Sequence, residues 1–158
     1  NGDGVNQPYG ILHPTSGAEV GVTASAVDSI SFDEVIRLFF SLKPEYRNRA
    51  VWVMNDETAL ALRKLKDAGG NYLWKSTDDT ILGKPVLISN FMPSQASGEK
   101  AIAFGDFSYY WLVERQNLSI RPIKEKYYVT DQIAYIGFEF LDGCLIRPEA
   151  IKLLQMSA

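Results

Sequence analysis

The signals for helix and for strand occupy different halves of this chain, and that separation constrains its fold more than any other feature. Ser31 and Glu34 have capping-box spacing, and Ile30 and Val35 are placed as a hydrophobic staple. Val35, Ile36, Leu38, Phe39, Phe40 and Leu42 then recur at helical intervals up to the Pro44 stop. Arg49 to Met54 reads as a short buried strand, after which Asn55 caps a second helix. That helix has Asp56 and Glu57 in its first turn, Leu60, Leu62 and Leu65 along its length, and Arg63, Lys64 and Lys66 near its end. Gly69-Gly70 is expected to stop it.

Strand patterns dominate the rest. Gly83-Lys84-Pro85 reads as a turn before a strand from Val86 to Ser89, and Phe91 to Lys100 as a loop. Further strands are expected over Ala101 to Phe104, Tyr109 to Glu114, Leu118 to Ile123 and Gln132 to Leu141. Asp142-Gly143 has the composition of a hairpin turn, followed by apolar pieces from Cys144 to Arg147 and from Ile151 to Leu154. Asn1 to Ala26, rich in Gly, Asn, Pro, Thr and Ser, reads as loop and short extended pieces. Helices first and strands later give an α+β chain, and no internal repeat is present.

Composition narrows the function classes. The 158 residues suit one domain or two small lobes, and they are enough to build a core without covalent staples. A net charge of -3, with no clustered basic face, gives no electrostatic footprint for nucleic acid. One Cys and one His exclude a disulfide framework and the usual zinc ligand sets. Cys144, in an apolar stretch, is expected to be a small buried hydrophobe. No window approaches the ~20 apolar residues of a membrane span. No signal-peptide pattern occurs, and the start at Asn1, without Met and in a Gly-rich segment, reads as a piece of something longer.

Catalytic constellations do not assemble. His13 lies in a Gly/Pro/Thr/Ser loop with no G-x-S-x-G elbow to serve. Gly2-Asp3-Gly4 lacks the rest of a dinucleotide or EF-hand pattern and reads as a turn. The acid pairs Asp78-Asp79 and Asp33-Glu34 are explained by solvation and by a helix N-terminus. Arg121, Lys124 and Lys126 beside Tyr127-Tyr128 are too few for a nucleic-acid strip and read as a solvated strand face. Tyr109, Tyr110 and Trp111 suit a sugar platform, but more often such residues pack in a core or an interface. No catalytic, cofactor-binding or metal-ligating residue is expected.

Several segments, in order and spacing, resemble the major capsid proteins of tailed bacteriophages with the HK97 fold. They are Asn1-Gly2-Asp3-Gly4-Val5-Asn6-Gln7-Pro8-Tyr9-Gly10-Ile11-Leu12, Tyr46-Arg47 leading to Ala50-Val51-Trp52-Val53-Met54-Asn55, and Leu62 to Gly70 with Tyr72-Leu73-Trp74. The series continues through Leu82-Gly83-Lys84-Pro85-Val86, Phe91-Met92-Pro93, Ala101 to Phe107, and Asp142-Gly143 followed by Arg147-Pro148-Glu149-Ala150-Ile151. The resemblance covers essentially the whole chain.

It implies an entry segment over residues 1–14, an axial domain with a mixed sheet flanked by helices over 15–104 completed by 142–158, and part of a peripheral domain with long antiparallel strands over 105–141. It further implies a structural subunit of an icosahedral phage or prophage head, assembling into hexamers and pentamers around DNA, made in the bacterial cytoplasm and residing in the virion. Partners would be other copies of the subunit, with scaffold, portal or decoration proteins as further candidates, and neither sequence-specific nucleic acid nor membrane. The family's N-terminal arm, extended loop and spine helix would precede Asn1, so the chain reads as a C-terminal fragment, monomeric or a small non-native oligomer and unable to build shells.

Some relatives cross-link through a Lys on the extended loop and an Asn on the peripheral strand. No Asn lies between Lys126 and Leu141, so no such link is expected. Phe140 stands where many relatives have a basic residue. Trp74, Lys75, Asp78 and Asp79 are expected near neighbouring subunits at the capsomer axis. Tyr135, Ile136, Phe138 and Phe140 are expected on a strand face left open without the spine helix. A carbohydrate- or host-binding phage module is the alternative reading, and a hydrolase using the carboxylates comes last.

Overall fold

The computed structural model describes residues 2–74, 79–123 and 128–158. A six-stranded mixed sheet forms the centre, built from β1 (Glu19–Thr23), β2 (Val51–Met54), β3 (Thr80–Ile81), β4 (Lys84–Ile88), β5 (Lys100–Gly105) and β8 (Ile151–Gln155) in the order β1-β8-β5-β2-β4-β3. The β1/β8 and β2/β4 pairs are parallel, and the other neighbours are antiparallel. Three helices, α1 (Phe32–Ser41), α2 (Pro44–Arg47) and α3 (Asp56–Arg63), connect the first strands. A separate antiparallel ribbon pairs β6 (Tyr110–Ile123) with β7 (Ala134–Leu145).

Strand alternation divides the core between the two faces of the central sheet. Trp52, Met54, Ile102, Phe104 and Leu154 point to the helical side, where Val35, Leu38, Leu42 and Leu62 cover them. Ala103, Ile151 and Leu153 point to the other side and meet Leu12, Ala18, Met92 and Leu145. Trp52 and Phe104 are register partners across β2 and β5, with rings stacked 4.0 Å apart, and Trp52 Nε1 donates to the Ile81 carbonyl at 3.0 Å. The central aromatic pair therefore ties three elements together.

Local signals explain α1. Ser31 caps it reciprocally with Glu34, and the staple residues Ile30 and Val35 are both buried. Arg47 supplies the C-terminal charge that α1 itself lacks. Its guanidinium donates to the Phe40 and Leu42 carbonyls and lies over the Phe39 and Phe40 rings.

Four expectations are corrected. The second helix stops at Arg63 with Lys64 as its C-cap, before Gly69-Gly70. Asp67 Oδ1 accepts the Gly69 and Asn71 amides, and Leu73 N donates to the Leu65 carbonyl, so a side-chain-stabilised turn takes over the backbone. Asp142-Gly143 is not a hairpin turn but lies within β7, opposite Val113 and Leu112. A Cβ on Gly143 would stand 2.9 Å from Tyr110 Oη and 3.0 Å from Leu112, so this glycine serves close side-chain approach rather than chain reversal. Cys144 is exposed, because it lies beside Trp111 on a ribbon with no layer above it. The strands expected at Tyr109 to Glu114 and Leu118 to Ile123 are one continuous β6, kept paired to β7 through two bulges.

Candidate functional site

Two surfaces hold the residues expected to touch neighbours. The first follows α3. Trp74 is only 5% exposed and packs in the helical-side core, with the Arg63 guanidinium 4.3 Å above its ring. Arg63 also pairs with Asp79 at 3.0 Å, where the Asp79 side chain is 93% exposed. Trp74 thus packs inside the fold, while Asp79 stands at the surface. Lys75 and Asp78 lie outside the described residues. Beside this anchor, Asp56, Leu60, Arg63, Asp79, Val86 and Ile88 rim a shallow cleft of about 230 Å³. Leu60 and Ile88 are half exposed there, which makes the rim apolar with acidic ends.

The second surface is the ribbon. At about 3.3 Å per residue, the 14 residues of β6 extend roughly 45 Å. Its base is fixed on several sides. Tyr110 Oη donates to the Tyr9 carbonyl at 2.7 Å, Ile146 N donates to the Tyr109 carbonyl, and the Tyr109 ring meets Tyr46 edge-on at 5.2 Å. Burial, helped by the nearby Cys144 and Asp142, pushes the Tyr110 phenol above its ordinary pKa.

Register assigns each ribbon residue to a face. Trp111, Val113, Ile136, Phe138 and Phe140 share one face with Ser119, Arg121, Asp142 and Cys144. Tyr110, Leu112, Glu114, Ile120, Pro122, Tyr135, Leu141 and Leu145 share the other, where Leu118 packs over Gly137. Tyr135 is therefore on the opposite side from Ile136, Phe138 and Phe140, the residues with which the sequence reading grouped it. Most of these large apolar residues are exposed. Sequence reasoning did not identify Val113, Leu118 and Ile120 as surface residues. The available signal was β6 itself, where apolar residues occupy both alternating positions without a second layer to cover them.

The residues weighed for chemistry have structural partners. His13 Nδ1 accepts from the Ser16 amide at 3.1 Å and organises its own loop. Glu34 is buried and accepts from Ser25 N, Ser25 Oγ and Ser31 N at 2.7–2.8 Å. Burial opposes its ionisation, but these donors outweigh that cost and hold its pKa below the ordinary value. Among the described residues no group of three or more His, Cys, Asp or Glu side chains is arranged to hold a metal, and no helix is long and apolar enough to cross a membrane.

Comparison with known proteins gives a consistent result. The capsid of an empty GTA particle superposes with a TM-score of 0.86 at 34% sequence identity, over 99% of this chain and 59% of that one. The capsid of the native GTA particle gives the same score and identity over 100% and 59%. A chain from Gordonia phage Cozz, 13% identical, superposes at 0.62 over 95% of this chain and 53% of that one, a likeness of fold alone. The chain thus spans 59% of the length of the two GTA capsid chains. No curated protein sequence matches it. The model of the phage capsid family matches residues 1–156. With essentially the whole chain matched by that model, and its HK97-like α+β fold shared with the GTA capsids, the chain belongs to the phage capsid family.

Proposed function

We propose that this chain forms part of the structural subunit of an icosahedral phage or prophage head, in which copies associate as hexamers and pentamers to enclose DNA. The observation that carries this reading is the superposition of all but 1% of the chain on the capsid of a GTA particle at 34% identity. In this reading the central sheet and its helices, over 15–104 and 142–158, form the axial domain, and residues 105–141 form peripheral-domain strands. The ribbon runs from Tyr110 to Leu145, so on this division its base overlaps the residues proposed to complete the axial domain.

The role is structural rather than catalytic. A shell subunit needs rigid elements and repeated complementary faces, and standard interfaces of about 1,600 Å² need no strong net charge. In this reading Asp79, exposed beyond Trp74, lies toward neighbouring copies around the capsomer axis, and the open ribbon meets other parts of the shell. The principal partners are other copies of the subunit, and scaffold, portal or decoration proteins are further candidates.

Antibodies raised against this chain test the location by immunoelectron microscopy of phage particles that carry it. Even labelling of opened head shells is expected. Labelling confined to tail tips would contradict the proposal and favour the host-binding reading, which the capsid comparisons do not favour.

A further inference from the structure

Two backbone N–H groups and a hydroxyl converge on one ring nitrogen near the start of the chain, and the residues around that ring hold the base of the ribbon. His13 Nδ1 accepts from the Ser16 amide at 3.1 Å and from the Thr15 amide at 3.4 Å, and Thr15 Oγ1 lies 3.3 Å away. A backbone N–H can only donate, so this nitrogen carries no proton and the neutral ring has its hydrogen on Nε2. The turn closes tightly on the histidine. The His13 amide donates to the Gly10 carbonyl and the Gly17 amide to the His13 carbonyl. A Cβ on Gly17 would stand 2.4 Å from the Ile11 carbonyl oxygen and 2.5 Å from that of His13.

The residues before and after His13 join the entry segment to the rest of the fold. The Tyr9 ring meets the His13 ring edge-on at 4.9 Å, and the Tyr9 carbonyl accepts the Tyr110 hydroxyl at 2.7 Å. The Leu12 carbonyl accepts Lys100 Nζ at 2.8 Å, and the Ala18 amide donates to the Ile11 carbonyl at 2.7 Å. Ile11, Leu12 and Ala18 pack in one cluster with Tyr110 and Leu145, where β6 begins and β7 ends. The turn therefore fastens both the sheet and the ribbon base.

Protonation reverses the chemistry of that turn. An imidazolium donates from both nitrogens and accepts from neither, so no rotation of a charged ring restores a partner to the Ser16 and Thr15 amides. The surrounding charges do not compensate. His13 has no ion pair among the described residues. The Asp3 carboxylate, whose field couples to the ring, is exposed and already accepts from Val5 N and Gln7 Nε2, so water and salt screen its attraction. Lys100 of β5 brings a positive charge to the adjoining Leu12 carbonyl. Glu99 is exposed across the hollow beside Pro14, and Glu19 at the start of β1 is paired with Lys152.

We infer that His13 is a pH-operated catch on the ribbon, whose neutral ring fastens the entry segment to the ribbon base and whose protonation at Nδ1 lets it go. Histidine changes charge between about pH 8 and pH 5, so the catch is closed at the upper end of that range and open at the lower.

Hydrogen exchange of the protein, followed amide by amide by NMR from about pH 7.5 to about pH 5.5 and corrected for intrinsic rates, tests it. Protection of the Ser16, Gly17 and Ala18 amides should fall about tenfold, the scale of one lost hydrogen bond, while the β5 and β8 amides keep theirs. A nitroxide on Cys144, the chain's one thiol, reads the ribbon base. It should broaden the Gly10 and Ile11 amides at the upper pH and much less at the lower. His13→Asn supplies a side-chain carbonyl that accepts the same amides without titrating, so the turn should stay protected throughout the range. His13→Ala should leave it unprotected throughout, with β5 and β8 again reporting an intact fold. A wild type without a pH response, the same response in His13→Asn, nitroxide broadening that does not change as the turn opens, or loss of protection that spreads to β5 and β8 would overturn the inference.

Discussion

Trp52 shows how a single side chain unites this fold. Its ring stacks on Phe104, and its indole N–H satisfies the Ile81 carbonyl beneath the sheet edge. Trp52→Ala should destabilise the chain by about 3–5 kcal/mol through cavity formation. Trp52→Phe, which keeps most of the stacking but removes the indole donor to the Ile81 carbonyl, should cost about 0.5–1.5 kcal/mol, the net worth of one hydrogen bond. Urea unfolding of the three proteins measures both. Glu34 makes a different demand. Its folded-state pKa lies below the ordinary 4.5, so the stability it contributes is complete above that value and is lost as pH falls through the lower folded value. Glu34→Gln should therefore lower stability by about 1.5–3 kcal/mol at pH 7, the scale of hydrogen bonds to a charged group. The gap should narrow toward pH 3 in paired urea titrations.

At the scale of elements, local chemistry was readable where it stands close in sequence. The capping box of Ser31 and Glu34, the Asn55 cap, and the β2 and β5 runs all appear in the structure where the pattern put them. What was not readable depends on distant partners. The turn chemistry of Asp142-Gly143 is overridden because β6, some 30 residues earlier, continues alongside it. Cys144 is exposed because the ribbon has no covering layer. Trp74, expected near neighbouring subunits, is buried within this chain's own core, with Arg63 over its ring. Gly105 makes the same point at the junction where β5 leads to the ribbon. A Cβ there would stand 2.3 Å from the Ala150 carbonyl oxygen and 2.5 Å from Ile151 Cα, both backbone atoms. Gly105→Ala should therefore cost about 1–3 kcal/mol by forcing a backbone shift, visible as a lowered thermal midpoint.

The whole molecule combines a well-filled sheet core with a long ribbon that is apolar on both sides. A two-stranded ribbon is at best marginally stable by itself in water, so its natural state is to be covered by other protein surface. The core has no such need, since its two sides are closed by the helices and by the N-terminal segment. This division suits the proposed subunit, with a core closed on both sides and a ribbon left for other protein surface to cover. The most direct test is electron cryomicroscopy of the particles formed when the reading frame containing this sequence is expressed. Closed icosahedral shells are expected, in which this fold repeats at every subunit position and the ribbons are covered by other protein surface. Dispersed single molecules with bare ribbons, or particles in which the fold occurs once rather than throughout the shell, would contradict it.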